Sequence, residues 1–61
     1  MDITVRIVDN GMGTPHTRWV RGDWVVIHDT AEEAFLCCTS DGEFVLSTRS
    51  LGAALNWLAG R

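Results

Sequence analysis

His16, His28, Cys37 and Cys38 are the side chains of this chain that could bind zinc or act as a nucleophile with its base. Structural zinc sites take a cysteine pair from one tight turn, roughly two to four residues apart. Cys37 and Cys38 are adjacent, and neighbours along a strand point to opposite faces. They cannot share one ion without distorting the backbone. The spacing instead predicts Cys37 as a small core residue and Cys38 on the other face. A cysteine nucleophile with His28 as base needs an oxyanion hole and a third, orienting group. Neither is marked, and 61 residues leave little room for a substrate cleft. His28 reads as the end of a strand, with Asp29 starting the turn. Gly11-Met12-Gly13 is not a phosphate-binding fingerprint, because the third glycine, the lysine and a following helix are missing. The expectation is a protein with no catalytic residues, no metal and no cofactor.

Three other groups carry potential for recognition. Arg21-Gly22-Asp23 spells an integrin-type tripeptide, a short match frequent by chance. Trp19, Trp24 and Trp57 put three tryptophans in 61 residues. Core and rim packing accounts for most of that area. A domain this small cannot easily bury all three, so at least one is expected at the surface as an interface anchor. The acidic residues are Asp2, Asp9, Asp23, Asp29, Glu32, Glu33, Asp41 and Glu43. Asp29, Glu32 and Glu33 crowd one connection, with no basic residue between Arg21 and Arg49. Asp41 and Glu43 fall at the opposite end of the adjoining strand. Asp23 joins them if residues 24–28 pair antiparallel with 34–39. Duplex DNA presents one phosphate charge about every 1.7 Å of axis. Carboxylates displayed along a small sheet can imitate part of that pattern. Asp23, Asp29, Glu32, Glu33, Asp41 and Glu43 are therefore the candidate partner-binding residues.

The elements that must position these groups end in a helix. Leu51, Ala54, Leu55 and Leu58 follow i, i+3, i+4 and i+7, one stripe of an amphipathic helix over 50–59. Ser50 is a good N-cap, with Thr48 the competitor. Gly60 stands where helices end in the left-handed conformation, and Arg61 complements the helix dipole. About three turns are marginal alone in water, so the stripe needs a sheet to cover. Residues 2–8 alternate, with Ile3, Val5 and Ile7 on one face and Thr4, Arg6 and Val8 on the other, a half-buried strand. Residues 9–15 read as a loop. Gly22-Asp23 splits residues 17–28 into a hairpin of strands 17–21 and 24–28; one long strand bulged at Gly22 is the alternative. On the second of these strands Trp24, Val26 and His28 share a face.

Strands 34–39 and 43–48 flank Asp41-Gly42, a strong hairpin signal. A two-residue turn pairs Ser40 with Glu43, Thr39 with Phe44, Cys38 with Val45, Cys37 with Leu46 and Phe35 with Thr48. Opposed residues share a face. One face then carries Phe35, Cys37, Phe44 and Leu46 and suits the helix stripe. The other carries Leu36, Cys38 and Val45 among Ser40, Glu43 and Ser47.

Composition narrows the class. The net charge is −3, all five basic residues are arginine, and 46% of the residues are apolar. That suits a folded single domain over 1–61 and disfavours a nucleic-acid binder, which carries a basic face. It permits a protein that meets a basic surface on a partner. No apolar run is long enough to span a membrane. Residues 1–5 lack the basic and apolar regions of a signal peptide. Adjacent cysteines cannot staple distant segments, which points to a reducing, cytoplasmic setting.

A very short, acidic, lysine-free chain with a β-meander closed by Asp41-Gly42-Glu43-Phe44-Val45 and a helix from Ser50 to Leu58 resembles the small proteins that phages encode against bacterial defence. Within that group it resembles the anti-CRISPR proteins, several of which are acidic and block DNA loading. The likeness is one of overall type across the whole chain and transfers no individual residue. It implies a protein of the bacterial host cytoplasm that binds a type I CRISPR–Cas surveillance complex and keeps target DNA from its basic path.

The expected fold is α+β: an antiparallel sheet of four to five strands with one C-terminal helix on one face. The expected function is a non-enzymatic protein-binding inhibitor acting through its acidic residues. The alternative is a small homodimeric or structural interaction module using the semi-apolar face with Leu36, Cys38 and Val45.

Overall fold

The computed structural model of the protein describes residues 2–9 and 15–61. Five strands form one antiparallel meander in the order β1-β2-β3-β4-β5: β1 Thr4–Asp9, β2 Pro15–Arg21, β3 Trp24–Asp29, β4 Ala34–Thr39 and β5 Phe44–Thr48. A single helix, α1 Leu51–Ala59, packs on one face. The protein is therefore α+β, as the run of strands followed by a helix predicts. Of the expected loop over residues 9–15, Asp9 and Pro15 pair as strand residues, and residues 10–14 lie outside the described residues.

The two tight turns follow from glycine. At Gly22 φ is +58°, and Arg21 pairs with Trp24 across the two-residue Gly22-Asp23 loop. A left-handed glycine at the first loop position suits the right-handed twist of the flanking strands. The hairpin is thus formed, and the single bulged strand is not. The Asp41-Gly42 turn departs from expectation. The Gly42 amide donates to the Thr39 carbonyl at 3.0 Å, and the Thr39 amide donates to the Glu43 carbonyl at 2.9 Å. The loop therefore holds three residues, Ser40-Asp41-Gly42, with Gly42 at φ +98°. Cys38 then pairs with Phe44 rather than Val45. A bulge at Val45 restores the expected pairing of Cys37 with Leu46 and Phe35 with Thr48. Between these two irregularities Phe44 changes face. It leaves the helix side, sits on the Cys38 side and is 59% exposed.

α1 starts as its sequence dictates. The Ser50 hydroxyl accepts from the Ala53 amide at 3.2 Å, and the Thr48 hydroxyl accepts from the Ser50 amide at 3.1 Å. The end differs. Gly60 has φ −84°, not left-handed, and its amide turns back onto the Asn56 and Trp57 carbonyls. The left-handed cap is dispensable because a distant side chain takes the last carbonyls. The Arg21 guanidinium donates to the Leu58 carbonyl at 3.1 Å and to the Ala59 carbonyl. Of the stripe, Ala54 and Leu58 are fully buried, Leu55 is half-buried, and Leu51 lies at the exposed rim.

The core is small. Val26, Cys37, Ala54 and Leu58 are wholly inaccessible, and Ile3, Trp19, Trp24, Phe35, Leu55 and Trp57 pack around them. Fully burying a side chain such as Leu58 contributes about 1.5–3 kcal/mol. The helix reaches β2, β3, β4 and β5 but makes no comparable contact with β1. Of the apolar face expected half-buried, Ile3 is half-buried against the core, whereas Val5 and Ile7 on β1 are bare, 60% and 79% exposed.

Candidate functional site

Strand pairing divides the residues that could do chemistry. His28 and Cys37 share the helix side, where His28 stacks on Phe35 at 4.7 Å between ring centroids. His16 and Cys38 share the other side, and the His16 Nε2 accepts from the Arg18 Nε at 2.9 Å. Among the described residues no three His, Cys, Asp or Glu side chains are grouped to hold a metal. Both cysteines are free and buried. Burial pushes the Cys37 thiol up, and neighbouring Cys38 adds to it. Burial pushes the Cys38 thiol up as well, against the opposing pull of Arg18. Thiols held up in this way stay protonated at neutral pH and are poor nucleophiles.

All three tryptophans are half-buried: each packs against the core and none is fully enclosed, as expected of a domain this small. Trp24 meets Trp57 edge to face at 5.7 Å, and Trp19 meets Phe35 in the same way at 6.0 Å. The Arg61 guanidinium lies over Trp57 and Trp24, at 5.0 and 5.6 Å from the ring centroids. The large apolar side chains that do reach solvent are aliphatic or phenyl: Val5, Ile7, Phe44, Val45, Leu46 and Leu51.

The acidic residues separate into two groups. β3 and β4 are antiparallel, which brings the β2–β3 and β4–β5 turns to one end of the sheet. The Ser40 amide donates to the Asp23 carbonyl at 2.8 Å and ties these turns together. Asp23, Asp41 and Glu43 are exposed there, and Asp41 accepts from the Thr39 hydroxyl. Asp29, Glu32 and Glu33 stand at the other end, about 20 Å away along strands of this length. Asp29 has local work: its Oδ1 accepts from the amides of Ala31 and Glu32 at 3.1 and 3.3 Å and builds the turn. Glu33 sits in the left-handed region at φ +52°. Arg49 faces this group across a cleft of about 450 Å³ lined by Asp29, Glu32, Leu36 and Ser47. The six candidate residues thus form two terminal groups rather than one patch.

The side of the sheet away from the helix carries features not singled out from sequence. Val20, Val25, Cys38 and Phe44 form one row across four strands. Its middle members, Val25 and Cys38, are buried although no helix covers them. In the next row Arg6 of β1 stands directly opposite Arg18 of β2. Arg6, Val8, Arg18, Val20, Val25 and Ser40 line a shallow groove of about 350 Å³. Pairing Arg6 with Arg18 from sequence requires the register of β1 on β2, which depends on the length of the connection through residues 10–14.

No helix of the described residues is long and apolar enough to cross a membrane. Compared with known protein families, with characterised proteins and with solved structures, the chain matches none of them.

Proposed function

We propose that this protein is a non-catalytic protein-binding module that presents its carboxylates to a basic surface on a partner. The observation that supports this reading is the meeting of Asp23, Asp41 and Glu43 at two turns joined by the Ser40–Asp23 hydrogen bond. The backbone that carries them is already ordered by the two hairpins, so binding has to order the side chains and not the loops. In its sharper form the module is an anti-CRISPR protein of the bacterial cytoplasm. It would bind a type I surveillance complex and block target DNA through the two acidic ends. That form rests on the resemblance in size, charge and element order.

The test is target-DNA binding by a purified type I surveillance complex with and without this protein, at low and high salt. The expected result is salt-sensitive inhibition. Asp23→Lys with Glu43→Lys should abolish it, and Glu32→Lys with Glu33→Lys should weaken it, both without loss of the folded circular dichroism signal. Full inhibition by both variants would remove the electrostatic reading. No inhibition by the native chain would remove the CRISPR partner and leave a basic protein of another kind.

A further inference from the structure

We infer that β1 is a homodimer edge: two copies pair antiparallel through Asp2–Arg6 and continue the sheet across a two-fold axis. The inference goes beyond the proposed function and stands independently of it. Three observations meet on this strand. Among the described residues β1 is the first strand in the sheet order and has a neighbour on one side only. The outward backbone groups of an edge strand are a template for another strand. It is also the strand the helix does not reach. Val5 and Ile7 therefore continue the apolar side of the core into solvent. Finally, Arg6 stands directly opposite Arg18, a like-charge pairing that costs stability. Among the described residues neither arginine has a carboxylate partner, and Arg18 donates to His16 Nε2.

A second copy of this chain supplies what is missing, and charge selects the register. The strand must continue through Ile3 and Asp2, which places Asp2 on the same side as Thr4 and Arg6 by alternation. Centring the pair on Arg6 would set that arginine against itself. Centring it on Ile7 would set Val5 against Asp9 of the second copy. Centring it on Val5 would leave Asp2 facing Val8. Centring it on Thr4 sets Asp2 opposite Arg6 of the second copy twice over, Ile3 opposite Val5, and threonine opposite threonine. Opposite-charge, apolar and Thr–Thr pairs are the favourable cross-strand combinations. In this register a carboxylate joins the Arg6–Arg18 row on each side of the axis. The apolar stripe of one copy runs on into that of the other. The interface is isologous and closes on itself, so it yields a dimer rather than a fibre.

The test is sedimentation of the full chain from low micromolar to millimolar concentration, with circular dichroism confirming each variant's fold. The native chain should show a monomer–dimer equilibrium. Asp2→Arg and Arg6→Asp should each weaken it by at least about tenfold, because the symmetry doubles every pair. The double variant, with both charges exchanged, should recover it. Val5→Lys should leave only monomer, while its acidic turns, and hence any inhibition through them, stay intact. A native chain that is monomeric throughout overturns the inference. So does a dimer indifferent to Asp2→Arg and Val5→Lys, or an exchange of charges that restores nothing.

Discussion

The two edges of the sheet are built differently. β5 is short, bulged at Val45 and followed at once by the helix that packs against it. A bulge breaks the regular spacing of edge groups and twists the strand away from a would-be partner. β1 has none of these protections. It pairs residue for residue with β2 from Thr4 to Asp9 without a shift, and its helix-side residues are bare. One row of the sheet shows the contrast directly. Val5, Trp19, Val26, Cys37 and Leu46 lie in line across all five strands. Val26 and Cys37 in the middle are sealed, Leu46 at the β5 end is partly open and Val5 at the β1 end is the most open. A nine-residue helix is about 13 Å long. Five strands at about 4.8 Å spacing span roughly 19 Å between the outermost two. One helix of this size cannot cover both edges. The fold brings the helix against β5, where Leu46 is still 38% exposed, and leaves β1 barer, with Val5 60% and Ile7 79% exposed.

The largest effect expected from this comparison is at the helix. Leu58→Ala removes the largest fully buried side chain. It should cost about 2–5 kcal/mol. A 61-residue domain has a total stability of roughly 3–9 kcal/mol at ordinary per-residue values. Urea titration should therefore show a strongly lowered midpoint, reaching complete unfolding if the native stability lies at the low end of that range. A loss below about 1 kcal/mol would mean that the helix does not seal the core. Arg21→Met should come next. It keeps the aliphatic stem but removes the guanidinium that donates to the Leu58 and Ala59 carbonyls. A loss of about 1 kcal/mol is expected for hydrogen bonds of this kind near the surface. It should appear as a lower urea midpoint and faster exchange of the Gly60 amide. Unchanged exchange would show that Gly60 alone ends the helix.

How far the sequence discloses this arrangement depends on whether the controlling interaction is local. The helix bounds and the Ser50 cap are legible because a capping hydroxyl reaches only three residues along the chain. The Gly22-Asp23 hairpin is legible because a two-residue loop fixes its own register. The Asp41-Gly42 hairpin misleads because aspartate-glycine fits a two-residue turn and a three-residue loop with a left-handed glycine equally well. The pairing then depends on the hydrogen bonds of Thr39, and Phe44 changes face as a result. Arg21 as the helix cap is not legible, since it lies 37 residues from Leu58. The acidic candidates are legible as turn residues. Their division between two ends follows once strand order is known, whereas Arg6 against Arg18 requires a register that no short motif sets.

The smallest expected effect is the most informative about the β1 edge. Ile7→Thr exchanges an apolar side chain that is 79% exposed for one with comparable strand preference. Where the chain is monomeric, it should change the unfolding free energy by no more than about 0.5 kcal/mol, because little apolar surface leaves or enters water. Set beside Leu58→Ala, it measures the difference between an apolar residue under the helix and one beyond its reach. The measurement is a urea midpoint at the lowest workable concentration. A loss of about 2 kcal/mol or more would show that Ile7 is covered in the folded chain. The contrast between the two edges would then fail at its most exposed residue. A value near zero would confirm that the Ile7 side chain contributes nothing to the fold. Its apolar character would then serve something other than the stability of the monomer.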